Sequence, residues 1–127
     1  MIKRQTKNLN ILTMRFPLPA VVSILHRMSG VIIYLLMPLV TYAFCYSLES
    51  QAHFNFLMTI ASSLPIKILS VILVWGICHH LIAGIRHILL DMQVGNDLIV
   101  ARFTSKTVLL ISFFIPFLVF YLLKELH

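Results

Sequence analysis

Residues 66–90 read IKILSVILVWGICHHLIAGIRHILL, and this run decides the fold. It is apolar almost throughout and long enough to cross a bilayer. A helix rises 1.5 Å per residue, so about 20 residues span the hydrocarbon core. Two similar runs flank it, one from about Ser23 to Leu48 and one from about Val108 to Leu123. Residues 104–107 extend the last by a turn. The expectation is an all-α integral membrane protein with three transmembrane helices, at about 23–48, 66–90 and 104–124, in one membrane-anchor domain over 1–127. Composition agrees. The 127 residues are 60% hydrophobic and 11% charged, with a mean hydropathy of +0.97, whereas soluble domains carry about 25% charged residues. A soluble chain this short has too little interior to hide that much apolar surface.

Prolines punctuate the runs. Pro17 and Pro19 suit an extended or turning approach to the first helix. Pro65 suits the first turn of the second. Pro38 and Pro116 fall inside helices, where membrane packing tolerates them. No A-x-A site follows the first apolar run, so a removable signal peptide is not expected.

The net charge of +6 sits mostly beside the apolar runs. That pattern is an orientation signal and not a nucleic-acid surface. Lys3, Arg4, Lys7 and Arg15 precede the first helix, and Arg27 follows closely. Residues 49–64, read as a loop, hold no Lys or Arg, and Lys67 stands just beyond as a lone exception. The second loop is flanked by Arg86 and contains Arg102 and Lys106. The positive-inside rule then puts the N-terminus and the second loop in the cytoplasm.

Cys45 and Cys78 both lie in apolar runs. No CxxC or CxxCH exists, so a structural zinc, an iron–sulfur cluster and a covalently attached haem lack their usual ligands.

Polar chemistry gathers in two places. Ser23, His26, Arg27 and Gly30 are spaced i, i+3, i+4 and i+7 and share one helical face. Hydroxyl, imidazole and guanidinium there suit a ligand with carbonyl or carboxylate oxygens. The same spacing equally fits His26 and Arg27 as anchors at the lipid head groups. On the second helix, Gly76, His80, Gly84, His87 and Asp91 form one stripe. Ionisable residues inside an apolar span are costly and usually functional. Neutral imidazole is a common axial ligand of haem iron, and flanking glycines let a flat macrocycle approach. Arg86 and His87, nearer the surface, suit its propionates. Alternatively, His80 bonds a neighbouring helix and the glycines only permit close packing. His79 points about 100° away from His80, and spacing leaves it open as the ligand. His53 and His127 lie outside the spans.

Arg15-Phe16-Pro17, the run Ser23 to Gly30, and His80-x-x-x-Gly84-x-Arg86-His87 with Asp91 resemble the cytochrome b membrane-anchor subunit of succinate dehydrogenase. The resemblance covers nearly the whole chain. S-x-x-H-R-x-S/T-G paired with H-x-x-x-G-x-R-H is far more specific than either half. The chain departs from the family in lacking an Arg-Pro pair before the first motif, where Gln5-Thr6 stands, and in its His79-His80 doublet. The resemblance implies a subunit of respiratory complex II in a bacterial inner membrane, or the mitochondrial one if organellar. It implies that Ser23 and Arg27 help bind ubiquinone and that His80 is one axial ligand of haem b. A second membrane-anchor subunit then supplies the other ligand. His26 would lie near the propionates, with Arg86 and His87 carried over beside it. Succinate oxidation would belong to a flavoprotein subunit and an iron–sulfur subunit. The chain itself carries neither centre. Two other readings stand beside this one, a cytochrome b anchor of a fumarate reductase and a haem-free transporter or structural membrane protein.

Overall fold

The computed structural model describes residues 16–125. The basic residues Lys3, Arg4, Lys7 and Arg15 and the terminal His127 lie outside the described residues. The chain enters its first helix at Pro17, whose extended backbone (φ −66°, ψ 148°) serves as the N-cap. Helix α1 runs Leu18–Glu49. It starts earlier than the expected position near Ser23, and Pro19 lies in its first turn. A first-turn residue has no N–H partner within the helix to lose, so proline costs little there. The helix continues through Pro38.

Ser50 ends α1 in an extended conformation, and its hydroxyl accepts the backbone N–H of His53 at 3.1 Å. That cap starts a helix where the sequence suggested a loop. Helix α2 spans Gln51–Ala61. Leu57 and His53 are half-buried, while Phe54, Phe56 and Met58 are exposed. The His53 ring stacks on Tyr46 of α1 with centroids 3.9 Å apart.

Helix α3 spans Leu64–Asp91, with Pro65 in its first turn. Its end is a Schellman motif. The N–H of Val94 bonds the carbonyl of Leu89, and that of Gln93 bonds Leu90. Gln93 takes the left-handed position, φ 61°, where glycine is usual. Helix α4 spans Leu98–Glu125. It begins earlier than residue 104, because Leu98 to Ala101 continue the helix and the N–H of Ala101 bonds the carbonyl of Asp97 at 2.8 Å. Arg102 and Lys106 are therefore helical residues and not loop residues.

Among the described residues three helices are long and apolar enough to cross a membrane: Leu18–Glu49, Leu64–Asp91 and Leu98–Leu122. They bundle with α3 against both α1 and α4, and α1 also touches α4. The interior is small and partly polar. Val22, Ala83 and Val108, one from each long helix, form the apolar centre. Ser29, His79, Arg86, Ser105 and Ser112 are buried around it. Large apolar side chains such as Tyr34, Leu81, Ile99, Phe113 and Phe117 face outward. A soluble bundle has the reverse arrangement, whereas lipid solvates such a surface. The chain is an all-α integral membrane protein.

Candidate functional site

The seam between α1 and α3 holds most of the residues marked out by spacing. Residue numbers rise along α1 as they fall along α3, so the helices run antiparallel. A Cβ on Gly30 would come within 3.1 Å of Cε1 of His80, and one on Gly84 within 3.3 Å of Nε2 of His26. Each imidazole thus lies on the glycine of the opposite helix. The two rings stack nearly parallel, with centroids 4.2 Å apart and planes at 12°. His87 closes the row, with its centroid 5.0 Å from that of His26.

Polar contacts fix the His80 ring. Its Nδ1 lies 3.1 Å from the backbone oxygen of His26 and 3.3 Å from Oγ of Ser29. The Ser29 hydroxyl donates to that same backbone oxygen at 2.8 Å. Ser29 is fully buried. Nε2 of His80 makes no hydrogen bond among the described residues.

His79, about 100° round α3 from His80, turns toward α4. It is fully buried, stacks at 5.3 Å on Trp75, and shares a 2.9 Å hydrogen bond between its Nδ1 and Oγ of Ser112 on α4. A macrocycle could reach this imidazole only by opening the bundle. His80, half-buried at the seam, imposes no such requirement.

Arg86 also turns to α4. Its Nε donates to Oγ1 of Thr104 at 3.1 Å and its Nη2 to the carbonyl of Ala101 at 3.2 Å. It is 6% exposed. The structure therefore gathers His26, His80 and His87 in one row, with Arg86 outside it. Ser23 is half-buried and Arg27 exposed on α1, one turn apart and beside His26 in sequence. Asp91 is exposed at the last turn of α3. Gly76 lies against Ile32 of α1, so its stripe does face that helix. A separate apolar groove of about 430 Å³, lined by Val71, Trp75, Phe113 and Phe117, runs between α3 and α4.

Ser29, Thr104 and Ser112 escape the spacing argument. Each hydroxyl also lies near a carbonyl of its own helix, three residues back. That local contact is all a sequence can show, because the partner on another helix follows no period.

The family of succinate dehydrogenase/fumarate reductase transmembrane subunits matches residues 1–120. The chain belongs to that family. It is similar to the succinate dehydrogenase cytochrome b556 subunit of Coxiella burnetii (strain RSA 493 / Nine Mile phase I), with 33% identity over 107 residues. The match covers 84% of this chain and 86% of that relative. As a succinate dehydrogenase/fumarate reductase membrane subunit, the chain works beside other subunits of complex II.

A b-type haem asks this site for one imidazole nitrogen free to bind iron. Among the described residues no group of three or more His, Cys, Asp or Glu is arranged to hold a metal ion, and the stacked rings do not converge on a point. One imidazole nitrogen engaged by the protein, with the other left over, is instead the donor set of a single axial ligand. The residues fit that use.

Proposed function

We propose that this chain is the cytochrome b anchor of a succinate:quinone oxidoreductase, holding haem b through His80 and contributing Ser23 and Arg27 to ubiquinone reduction. The carrying observation is the seat of His80. Nδ1 faces a backbone carbonyl at 3.1 Å, the ring rests against Gly30, and Nε2 is left for a ligand. When bound, haem b supplies a one-electron centre inside the membrane. A second membrane subunit would provide the opposite axial ligand, and iron–sulfur and flavoprotein subunits would carry the succinate chemistry. His26 and His87 extend the row from His80 and supply polar atoms for the propionate edge. Arg86 enters as the strut that keeps α4 on α3.

Ser23 and Arg27 act on the quinone. Arg27 donates a charge-assisted hydrogen bond to one carbonyl oxygen, where negative charge grows during reduction. Ser23, one turn earlier, supplies a hydroxyl to the same head group. The protein sits in a bacterial inner membrane, with the N-terminus and the α3–α4 turn in the cytoplasm.

The test is a dithionite-reduced minus oxidised spectrum of the detergent-solubilised complex, wild type against His80→Ala. A b-type signal lost or shifted in the variant is expected. A wild type without that signal, or a variant that keeps it unchanged, rules the reading out.

A further inference from the structure

We propose that Ser29 is a positioning residue for His80, fixing which of its ring nitrogens carries the proton and how the ring is turned. The proposal rests on the reading of His80 as an axial ligand. It follows from the direction of each hydrogen bond around Nδ1. The backbone oxygen of His26 can only accept, so Nδ1, 3.1 Å away, must donate to it and carry the proton. The Ser29 hydroxyl has given its own proton to that same oxygen at 2.8 Å. Its oxygen, 3.3 Å from Nδ1, therefore presents a lone pair. Both groups facing Nδ1 are acceptors, and Nε2 is left with the lone pair that iron requires.

The opposite tautomer is opposed twice. It sets two lone pairs against each other across 3.1 Å, and it pulls the serine proton away from the His26 carbonyl. Ser29 is fully buried, so no water replaces its hydroxyl when the side chain is lost. Rotation is fixed by the same neighbours. The His26 ring covers one face of His80 at 4.2 Å, and Gly30 leaves only 3.1 Å between its Cβ position and Cε1. The Nδ1–Cε1 edge thus lies against α1, and Nε2 makes no hydrogen bond among the described residues.

This arrangement has an electronic consequence. A second acceptor on Nδ1–H increases electron density at Nε2, and a more basic ligand favours ferric over ferrous iron. Ser29 therefore holds the midpoint potential of the haem down and the plane of the axial imidazole constant.

The experiment compares purified complexes carrying Ser29→Ala, Ser29→Cys and Ser29→Thr with wild type and His80→Ala. It uses an optical redox titration of the haem and the electron paramagnetic resonance spectrum of its ferric form. The expected result is a raised midpoint potential and an altered ferric spectrum in S29A and S29C, with both restored in S29T. S29C leaves no cavity where the hydroxyl stood, while its thiol is a weak acceptor, and it decides the question if S29A fails to assemble. Identical potentials and spectra across the three Ser29 variants and wild type overturn the role of Ser29. The axial reading survives that result as long as His80→Ala still abolishes the haem signal. A wild-type complex without b-type haem overturns both.

Discussion

Two adjacent histidines on α3 face different environments, and substitution separates them. His80→Ala removes the proposed ligand. His79→Ala instead breaks the bond to Ser112, and the expected result is a haem spectrum retained with a lower thermal midpoint. Ser112→Ala leaves Nδ1 of His79 without its partner in a water-free region. Burying an unsatisfied group costs about 1–3 kcal/mol, but hydrogen bonds between membrane helices average only about 0.6 kcal/mol. A loss near 1 kcal/mol is expected, read as a modest fall in melting temperature with unchanged haem absorbance. Arg27→Gln tests the quinone side. Loss of one charge-stabilising donor typically slows a reaction by about 10²-fold or more. Quinone reduction should fall on that scale while succinate oxidation by an artificial acceptor is unchanged, and equal quinone rates would refute the role of Arg27. The histidines and Arg27 were legible in the sequence because polar residues in an apolar run stand out. Ser29 entered only as the S/T position of the first motif, and its contact with His80 was not legible, because a buried serine in a membrane helix usually bonds only its own backbone.

At the scale of elements, the three spans were legible from hydropathy and their ends were not. Helix α1 begins at Leu18 because proline is harmless in a first turn, so Pro19 gave no stop. Helix α2 begins on the Ser50 cap, a local hydrogen bond without a hydropathy signature. Helix α4 reaches back to Leu98 because Ala101 and Thr104 receive Arg86 from α3, a tertiary contact that orders a turn the sequence leaves ambiguous. The pairing of each histidine with a glycine on the facing helix was hidden for a similar reason. Spacing along one helix shows a stripe, but only the antiparallel register shows what the stripe meets. Gly30→Ala and Gly84→Ala test that register. The added Cβ stands 3.1 Å from Cε1 of His80 in one case and 3.3 Å from Nε2 of His26 in the other. The first should displace His80 by a few tenths of an ångström and shift the haem spectrum. The second bears on His26 and should perturb it less. Equal effects would argue against the seating of His80 on Gly30. Arg86→Met removes both hydrogen bonds to α4 and should lower the melting temperature of the complex. A normal melting temperature would show that α4 docks without that strut.

For the molecule as a whole, the proposed orientation makes a direct prediction. With Cys45 and Cys78 replaced by serine, a cysteine at Gln51 should react with a membrane-impermeant maleimide from outside the cell. One at Asn96 should react only after the membrane is opened, and the reverse pattern would invert the topology. Both positions are exposed, in or beside the turns that join the spans. The polar interior also constrains how the protein is made. His79 finds its partner 33 residues further along the chain, and Arg86 finds one 18 residues on. At about 5–20 residues per second of synthesis, Ser112 follows His79 by about 2–7 s. During that interval α3 has an imidazole near mid-bilayer with no partner yet translated. Lipid is a poor place to wait in that state, so α3 should remain at the insertion machinery until α4 arrives, and the two should enter the membrane as a hairpin.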